Sequence, residues 1–235
     1  MLTNSIINSP NINKVKRIPQ IKVFNKTLGE LTTISHERQF YDTELKNKYG
    51  KVLARETFSI KDKDSMSFGY TIEVEPEYRQ KGYNLGEILR LSSIIMILEN
   101  KIKEFQIYSK NSALFFHSKY KFSPRIETTE EADNILSSVI NNCNNKYPDI
   151  KKDAFDLLIE IRRNQNKHFV PLLCNQANDL VKYYMSTVLK TKDEYKSHNF
   201  HSGFMMALTD KDIYQDKDFF NNLFKKHNID YKIWD

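Results

Sequence analysis

The feature that most constrains the fold is a strand, a basic loop and a helix that follow one another over residues 66–99. Residues 66–74 alternate apolar and polar side chains with a period of two, which is typical of a strand with one buried face. Pro76 ends this strand, and the basic loop after it contains Gly82. The helix that follows has apolar residues around much of its girth, so we expect other elements to cover it on more than one side.

Further strands and helices are predicted on both sides of this unit. Upstream, residues 38–46 and 51–60 flank a turn at Gly50, and with residues 66–74 they predict a three-stranded antiparallel meander. The strands predicted downstream are residues 104–109, a short piece opened by Phe122, residues 203–208 and residues 231–234. The helices predicted downstream are one capped by Asn111 and running to Lys119, several within residues 128–190, and a last one over residues 219–227.

Composition narrows the class of protein. The 235 residues suffice for one domain with a large extension, and for a core that needs no disulfide or metal. The two cysteines, Cys143 and Cys174, are too few for a disulfide framework or a four-ligand zinc site, so no metal is expected. No apolar run approaches the ~20 residues of a membrane span, and no secretory signal is recognisable. We therefore expect a cytoplasmic protein that does not contact a membrane.

The net charge of +6 allows an anionic partner, but it has a simpler explanation. Of the 36 basic residues, 28 are Lys, and the chain also contains 22 Asn, a combination that suggests AT-rich coding. No window holds five consecutive basic residues, so the sequence has no basic tail. We therefore do not expect the protein to bind nucleic acid.

The basic loop before the predicted helix is suited to hold a phosphate or pyrophosphate. Backbone N–H groups at a helix start are free to bind an anion, and the helix dipole favours negative charge there. Arg79 and Lys81 add positive charge, and Gly82 lets the backbone come close to the anion. Asn84 is a candidate N-cap, with Glu87 three residues later as in a capping box. The loop lacks the Gly-Lys-Ser/Thr of a Walker loop, and its strand belongs to a meander rather than to a dinucleotide-binding βαβ unit.

Two blocks resemble the GNAT superfamily of N-acetyltransferases. The first, over residues 72–86, reads IEVEPEYRQKGYNLG and resembles the acyl-CoA-binding segment, a strand and Pro-Glu-Tyr-Arg followed by Arg/Gln-x-x-Gly-x-Gly/Ala and a helix. The second, over residues 111–122, reads NSALFFHSKYKF and resembles the family's Asn-x-x-Ala with an aromatic patch and Gly-Phe. The resemblance covers about residues 50–125. It implies a GNAT-like α+β fold, with a mixed, mainly antiparallel central sheet flanked by helices and a large helical insertion toward the C-terminus.

The chain departs from the family pattern at three positions. Asn84 stands where a second Gly or Ala is usual, so either it caps the helix and the anion-binding amides remain, or the loop differs by one step. His117 stands where a Tyr is frequent, and Lys121 replaces the Gly before Phe122. The resemblance still implies an acyl-CoA cofactor, with acetyl-CoA as the expected one. The residues it implies for binding are Val74, Glu75, Arg79, Gln80, Lys81, Gly82, Tyr83, Asn84, Leu85, Gly86 and Asn111.

Acyl transfer to an amine needs a base for the amine and a proton for the leaving thiolate. Glu73 and Glu75 are candidate bases because they lie at the end of the predicted strand. The resemblance implies an acid in the second block, where His117 and Tyr120 are the alternatives. If His117 is the acid, activity falls as the pH rises through its pKa, and if it is a base the slope reverses. His117 is also interpretable as a packing residue beside its phenylalanine neighbours.

The expected organisation has four segments. They are a flexible arm over residues 1–18, a GNAT-like core over 19–126, a helical insertion over 127–198, and a final strand and helix over 199–235 that complete the core. The expected acceptor is a primary amine on a small molecule, a peptide or a protein lysine. The insertion is a candidate for acceptor choice or for a homodimer interface. The alternative is a non-catalytic GNAT-like module that binds CoA or a partner protein.

Overall fold

The computed structural model of the chain describes residues 22–23, 29–35, 40–61, 66–79, 82–143, 145–164, 168–198, 200 and 203–234. The arm expected over residues 1–18 and the candidate ligands Gln80 and Lys81 lie outside the described residues. The strands are β1 (Lys22–Val23), β2 (Gly29–Ser35), β3 (Phe40–Lys46), β4 (Val52–Lys61), β5 (Met66–Val74), β6 (Glu104–Ser109), β7 (Ser123–Pro124) and β8 (Phe204–Thr209). The helices are α1 (Leu85–Glu99), α2 (Leu114–Lys119), α3 (Thr129–Asn142), α4 (Pro148–Arg163), α5 (Val170–Thr187), α6 (Lys192–Ser197), α7 (Asp210–Gln215) and α8 (Lys217–Lys226).

The strands form one sheet in the order β1-β2-β3-β4-β5-β6-β8-β7. The pairs from β1 to β5 are antiparallel, β5 and β6 are parallel, and β8 is antiparallel to both β6 and β7. This confirms the predicted meander and the predicted fold class, a mixed and mainly antiparallel sheet flanked by helices. The strand predicted over residues 203–208 therefore enters the sheet beside β6 rather than at its edge.

Helix α1 is the central helix of the fold. Twelve of its residues are buried, and they include two charged side chains, Glu87 and Arg90. The helix packs on β3, β4 and β5 and also meets α8. The prediction of a helix covered on more than one side is confirmed, because the sheet covers one side and α8 approaches another.

The predicted helical region after β7 consists of helices α3, α4 and α5, which pack against one another. Thr128 caps α3 with a capping box that includes Glu131, as its position before an acidic first turn predicts. The two short helices α6 and α7 were not predicted. Each begins with a Thr capping box, so the Thr-x-x-Glu and Thr-x-x-Asp spacings in the sequence were the missed signal.

Three local predictions are wrong. Residues 231–234 form no strand, because the side chain of Asn221 donates to the carbonyl of Ile233 at 3.1 Å and accepts from its N–H at 2.8 Å, in place of a sheet partner. Asn84 makes no side-chain cap, because it adopts the left-handed conformation and Glu87 points into the protein. Asn111 begins a short 3-10 turn instead of capping α2, which starts at Leu114.

Other features bear on the protein's surroundings. Cys143 and Cys174 are both buried and are not joined to each other. Within the described ranges, no helix has the length and apolar character that a bilayer crossing requires. The same ranges contain no group of three or more His, Cys, Asp or Glu side chains that could hold a metal ion.

Candidate functional site

A cleft opens where β5 and β6 stop pairing. The two strands are paired only from Met66 with Glu104 to Gly69 with Ile107, although β5 runs on to Val74 and β6 to Ser109. Along Thr71–Glu73 the edge of β5 that faces β6 therefore has no strand partner among the described residues. Backbone N–H and C=O groups on such an edge are available to an extended ligand.

A β-bulge on β5 marks the closed end of the cleft. Thr57 of β4 pairs with Thr71 and Phe58 pairs with Gly69, so Tyr70 is the extra residue. A bulge bends its strand and increases its twist, which turns β5 away from β6 at this point. Gly69 is required here, because a Cβ atom would lie 2.8 Å from Cζ of Phe105 and 2.9 Å from Cγ2 of Ile107.

The cleft has a volume of about 490 Å³ and walls from several elements. One wall is β5, which contributes Glu73 at the rim, and the opposite wall is formed by the end of β6 and the start of α2. Tyr70 and Tyr108 stand at the rim and are 54% and 50% exposed, so the mouth is partly aromatic. The floor is formed by Glu56, Arg90 and His117, which are all buried.

The floor contains an ion pair that sequence analysis missed. Glu56 of β4 and Arg90 of α1 approach to 2.9 Å between Oε1 and Nη1, and both side chains are almost fully buried. The guanidinium of Arg90 lies 5.2 Å from the ring centres of Phe105 and Phe122. Burial raises the pKa of the Glu56 carboxyl, an effect opposed by Arg90 and by the hydroxyl of Ser93, which donates to Glu56.

A signal for this pair was present in the sequence. Glu56 interrupts the apolar even positions of the strand, between Ala54 and Phe58, and Arg90 interrupts the apolar stretch of the helix. A charged residue in an apolar face is almost never fully buried unless it has a partner. The partner itself lies 34 positions away, so the pairing is not visible in any local pattern.

His117 lies at the floor of the cleft. Its ring packs edge-on against Phe116 at 5.2 Å and Phe122 at 5.8 Å. Burial, together with the charge of Arg90, lowers the pKa of His117 well below its ordinary value. The imidazole is therefore neutral at neutral pH, and the protonated acid considered above is not its resting form.

Tyr120 is not brought to the cleft. Its side chain is 1% exposed, and its hydroxyl donates to the carboxylate of Glu87 on the other side of α2. Burial and this hydrogen bond to a carboxylate raise the pKa of Tyr120 above its ordinary value. The two candidate acids therefore lie apart, with His117 in the lining of the cleft and Tyr120 outside it.

Glu87 is the centre of a charged cluster between α1, α2 and α8. Its carboxylate contacts Nζ of Lys119 at 2.8 Å, Nζ of Lys226 at 2.7 Å and Nε2 of His227 at 2.5 Å, and it also accepts from Tyr120. Burial would raise the pKa of Glu87, but hydrogen bonds from His227 and the two lysines outweigh it and lower the pKa far below its ordinary value. This cluster fixes α8 to the first turn of α1.

The open end of the cleft leads to the predicted anion-binding loop. Val74 and Glu75 end the strand, and Nε of Arg79 donates to the carbonyl of Val74 at 2.7 Å, so Arg79 folds back on the strand. Gly82 has φ +78° and nothing within 4 Å of a Cβ placed on it, and Asn84 is also left-handed, at φ 54°. Both residues are exposed, which keeps the loop backbone accessible.

Helix α1 starts with free amides on this loop. The first helical hydrogen bonds run from the N–H groups of Glu87 and Ile88 to the carbonyl of Asn84. The N–H groups of Leu85 and Gly86 precede these bonds and lie at the open end of the helix, where an anion is favoured. Tyr83 packs near Tyr78 with ring centres 6.1 Å apart, and Asn111 lies on the turn between the cleft residues Lys110 and Ser112.

No protein-family model and no curated protein sequence matches the chain. Solved structures resemble it over a segment. They include PaiA N-acetyltransferase from Thermoplasma acidophilum in complex with coenzyme A (16% identity, 38% of this chain and 54% of that chain, TM-score 0.30). An acetyltransferase of the GNAT family from Staphylococcus aureus is 20% identical, covering 35% of this chain and 52% of that chain with a TM-score of 0.32. Spermidine N-acetyltransferase from Vibrio cholerae in complex with CoA and spermine is 10% identical, covering 40% and 57% with a TM-score of 0.34. The chain spans little more than half the length of each of these proteins.

Proposed function

We propose that the protein is an acyl-CoA-dependent N-acyltransferase that moves an acyl group, most simply acetyl, to a primary amine. The observation that carries this proposal is the cleft between β5 and β6. The edge of β5 beyond its pairing with β6, the start of α1 and a floor of buried polar side chains all lie along this cleft. Acyl-CoA would supply the activated thioester carbonyl that the amine attacks. The location that we propose is the cytoplasm, because two cysteines are too few for the disulfide framework of a secreted protein.

The unpaired edge of β5 is suited to an arm that carries amide groups. Thr71–Glu73 extends over ~10 Å at about 3.3 Å per residue, between the loop and the bulge. An amide-bearing arm laid along this edge can exchange backbone hydrogen bonds with it, as an added strand does. An arm that enters at Val74 therefore ends at the cleft floor.

The start of α1 is suited to the pyrophosphate at the other end of the same ligand. The amides of Leu85 and Gly86, with those of the loop from Gly82, offer hydrogen-bond donors together with the positive end of the helix dipole. Arg79, Gln80 and Lys81 remain proposed phosphate contacts from their positions in the sequence.

Glu73 is the proposed base. It is exposed at the rim of the cleft, where an incoming ammonium group would lose its proton, directly or through water. Glu75 lies beyond the end of β5 and is the weaker candidate. We further propose that the helices of residues 127–198 shape the acceptor side, since α6 packs on α2, whose Phe116 and His117 line the cleft.

A non-catalytic module that binds acyl-CoA is the second candidate. The observation that favours it is that neither candidate acid is ready to protonate a leaving thiolate. The imidazole of His117 is neutral, and the hydroxyl of Tyr120 donates to Glu87. Turnover in the presence of amines separates the two functions. Release of free thiol with a panel of primary amines supports transfer, whereas binding without release supports the module.

Gly86 offers a matched test of the binding site. A Cβ at this position would sit 3.7 Å from Cζ of Phe116 and 3.8 Å from Cγ2 of Ile72, both at ordinary contact distance. Gly86→Ala should therefore bind CoA as the parent does, whereas Gly86→Leu should fill the cleft and weaken binding at least tenfold. Titration calorimetry measures both, and both replacements favour the helix, so folding is preserved. Equal affinity in the two variants would remove the cleft as the CoA site.

A further inference from the structure

The floor of the cleft carries polar atoms that no group in the described part of the chain fills. Nε and Nη1 of Arg90, Nδ1 of His117 and Oε1 of Glu56 are buried and have no hydrogen-bond partner there. Nη1 of Arg90 touches Glu56 at 2.9 Å, but the two groups are not aligned for a hydrogen bond. A buried donor without an acceptor destabilises the folded state. The buried donors on the floor therefore need an acceptor atom from a ligand or from water.

The acceptor that suits this floor is anionic. Arg90 keeps its charge in proteins, and its guanidinium is covered by the rings of Phe105 and Phe122 at 5.2 Å. Away from water, a charge interacts more strongly with an opposite charge beside it. The charge of Glu56 opposes an anion, but Oε1 of its carboxylate lies 2.9 Å from Nη1 of Arg90 and Oε2 accepts from the hydroxyl of Ser93.

We propose that this floor binds the thiolate of coenzyme A, with Arg90 as the hydrogen-bond donor that stabilises it. The inference rests on the proposed function. In the step, the bond between the amine nitrogen and the acyl carbon forms, and the bond between that carbon and sulfur breaks with its electron pair on sulfur. The amine proton goes to Glu73 or to water. Sulfur then leaves as an anion held by Arg90, and the step needs no acid.

This assignment explains why neither His117 nor Tyr120 needs to donate a proton in the reaction. A thiol has an ordinary pKa of ~8.5, so a thiolate is a stable leaving group once a cation holds it. A neutral His117 beside the sulfur can offer a hydrogen bond from Nδ1 in one tautomer without giving up a proton. Tyr120 then takes no part in the reaction, and its hydroxyl only donates to Glu87.

The charged and titratable groups around this position come from every wall of the cleft. They are Glu56 on β4, Tyr70 and Glu73 on β5, Arg90 on α1, Tyr108 on β6, Lys110 after it, and His117 on α2. Arg90 and Glu56 are buried, whereas Lys110 and Glu73 are exposed, where solvent screens their charge. The buried pair should therefore control the ionisation of a bound thiol.

The test is the pKa of the thiol of CoA bound to the protein, measured from the ultraviolet absorbance of the thiolate. A matched titration with desulfo-CoA is subtracted, so that the tyrosines and cysteines of the protein cancel. The bound thiol is expected to have a pKa at least about one unit below that of free CoA. Glu56→Gln should lower it further, because it removes the opposing charge and keeps the shape.

The double variant Glu56→Leu/Arg90→Met should return the thiol pKa to the value of free CoA. It replaces the ion pair with apolar groups of similar volume, and unchanged affinity for desulfo-CoA would show that the cleft is intact. Lys110→Gln, which removes an exposed cation from the rim, is the control and should change the thiol pKa little.

The outcomes separate this inference from the proposed function. If neither CoA nor desulfo-CoA binds, the proposed function fails and this inference fails with it. If both bind, but the thiol pKa equals that of free CoA or stays low in the double variant, only the thiolate site is overturned. Opposite shifts in Glu56→Gln and the double variant support it.

Discussion

Two buried carboxylates show opposite arrangements within one half of the molecule. The carboxylate oxygens of Glu87 make hydrogen bonds or ion pairs with four side chains, those of Lys119, Lys226, His227 and Tyr120. Glu56 has Arg90 and Ser93, and polar atoms of this pair have no hydrogen-bond partner among the described residues. A network whose polar atoms are all hydrogen-bonded holds elements together, whereas buried polar atoms without a partner need an explanation. We therefore interpret the Glu87 cluster as a structural anchor, and the floor of the cleft is the proposed binding site.

The largest expected effect comes from breaking the pair of Glu56 and Arg90. Arg90→Met leaves the Glu56 carboxylate buried without its cation and should lower the free energy of unfolding by about 3–5 kcal/mol at pH 7. Glu56→Leu/Arg90→Met should recover most of this loss, because a buried pair replaced by apolar groups is often neutral or stabilising. Urea denaturation of the two variants measures the difference. A cost below about 1 kcal/mol for Arg90→Met would contradict the assignment of a buried pair.

A smaller loss is expected from breaking the Glu87 cluster. Glu87→Ala releases α8 and leaves the buried hydroxyl of Tyr120 without its acceptor, at a cost of about 2 kcal/mol in the free energy of unfolding. Lys119→Met is the control and should cost under about 1 kcal/mol, because Lys119 is half exposed. Denaturant unfolding followed by circular dichroism compares them. If Lys119→Met costs as much as Glu87→Ala, the cluster acts through the lysine rather than through the buried carboxylate.

The smallest expected effect is a difference between Glu87 and Glu56 in how their carboxyl groups make stability depend on pH. The pKa of Glu87 is lowered on folding, so its contribution is present above pH ~4.5 and is lost as the pH falls below that value. The pKa of Glu56 is raised, so the folded state holds its proton longer, and stability from this group falls as the pH rises above ~4.5. Unfolding free energies between pH 3 and 6, a window of about three units, should rise less steeply in Glu87→Gln and more steeply in Glu56→Gln. Parallel curves for the two variants would show that neither carboxyl titrates differently from its unfolded form.

The elements around the cleft were predictable because their signals are local. Alternation predicted the meander and β5, and the apolar girth of α1 predicted a covered helix. Glu87 was interpreted as part of a capping box, since the Asn-x-x-Glu spacing is local. Its partners Lys226 and His227 lie 139 and 140 positions later in the chain. No short sequence pattern indicates contacts over such a separation.

The floor of the site escaped prediction for the same reason. Glu56 and Arg90 each stand alone in an apolar pattern, and only the packing of α1 on β4 joins them. His117 lines the cleft, but its neutral state depends on burial and on Arg90, which the sequence does not display. Local patterns therefore predict where the cleft opens, whereas its charges are set by contacts between distant segments.

The place of β8 in the sheet has a consequence for synthesis on the ribosome. β8 lies between β6 and β7, and Ser109 pairs with Phe204, which is 95 positions later. At about 5–20 residues per second, the edge of β6 stays without its partner for roughly 5–20 seconds while the intervening helices are made. An unpaired strand edge is a template for association with other chains. Chaperone demand during translation should therefore concentrate on the interval between the emergence of β6 and the arrival of β8.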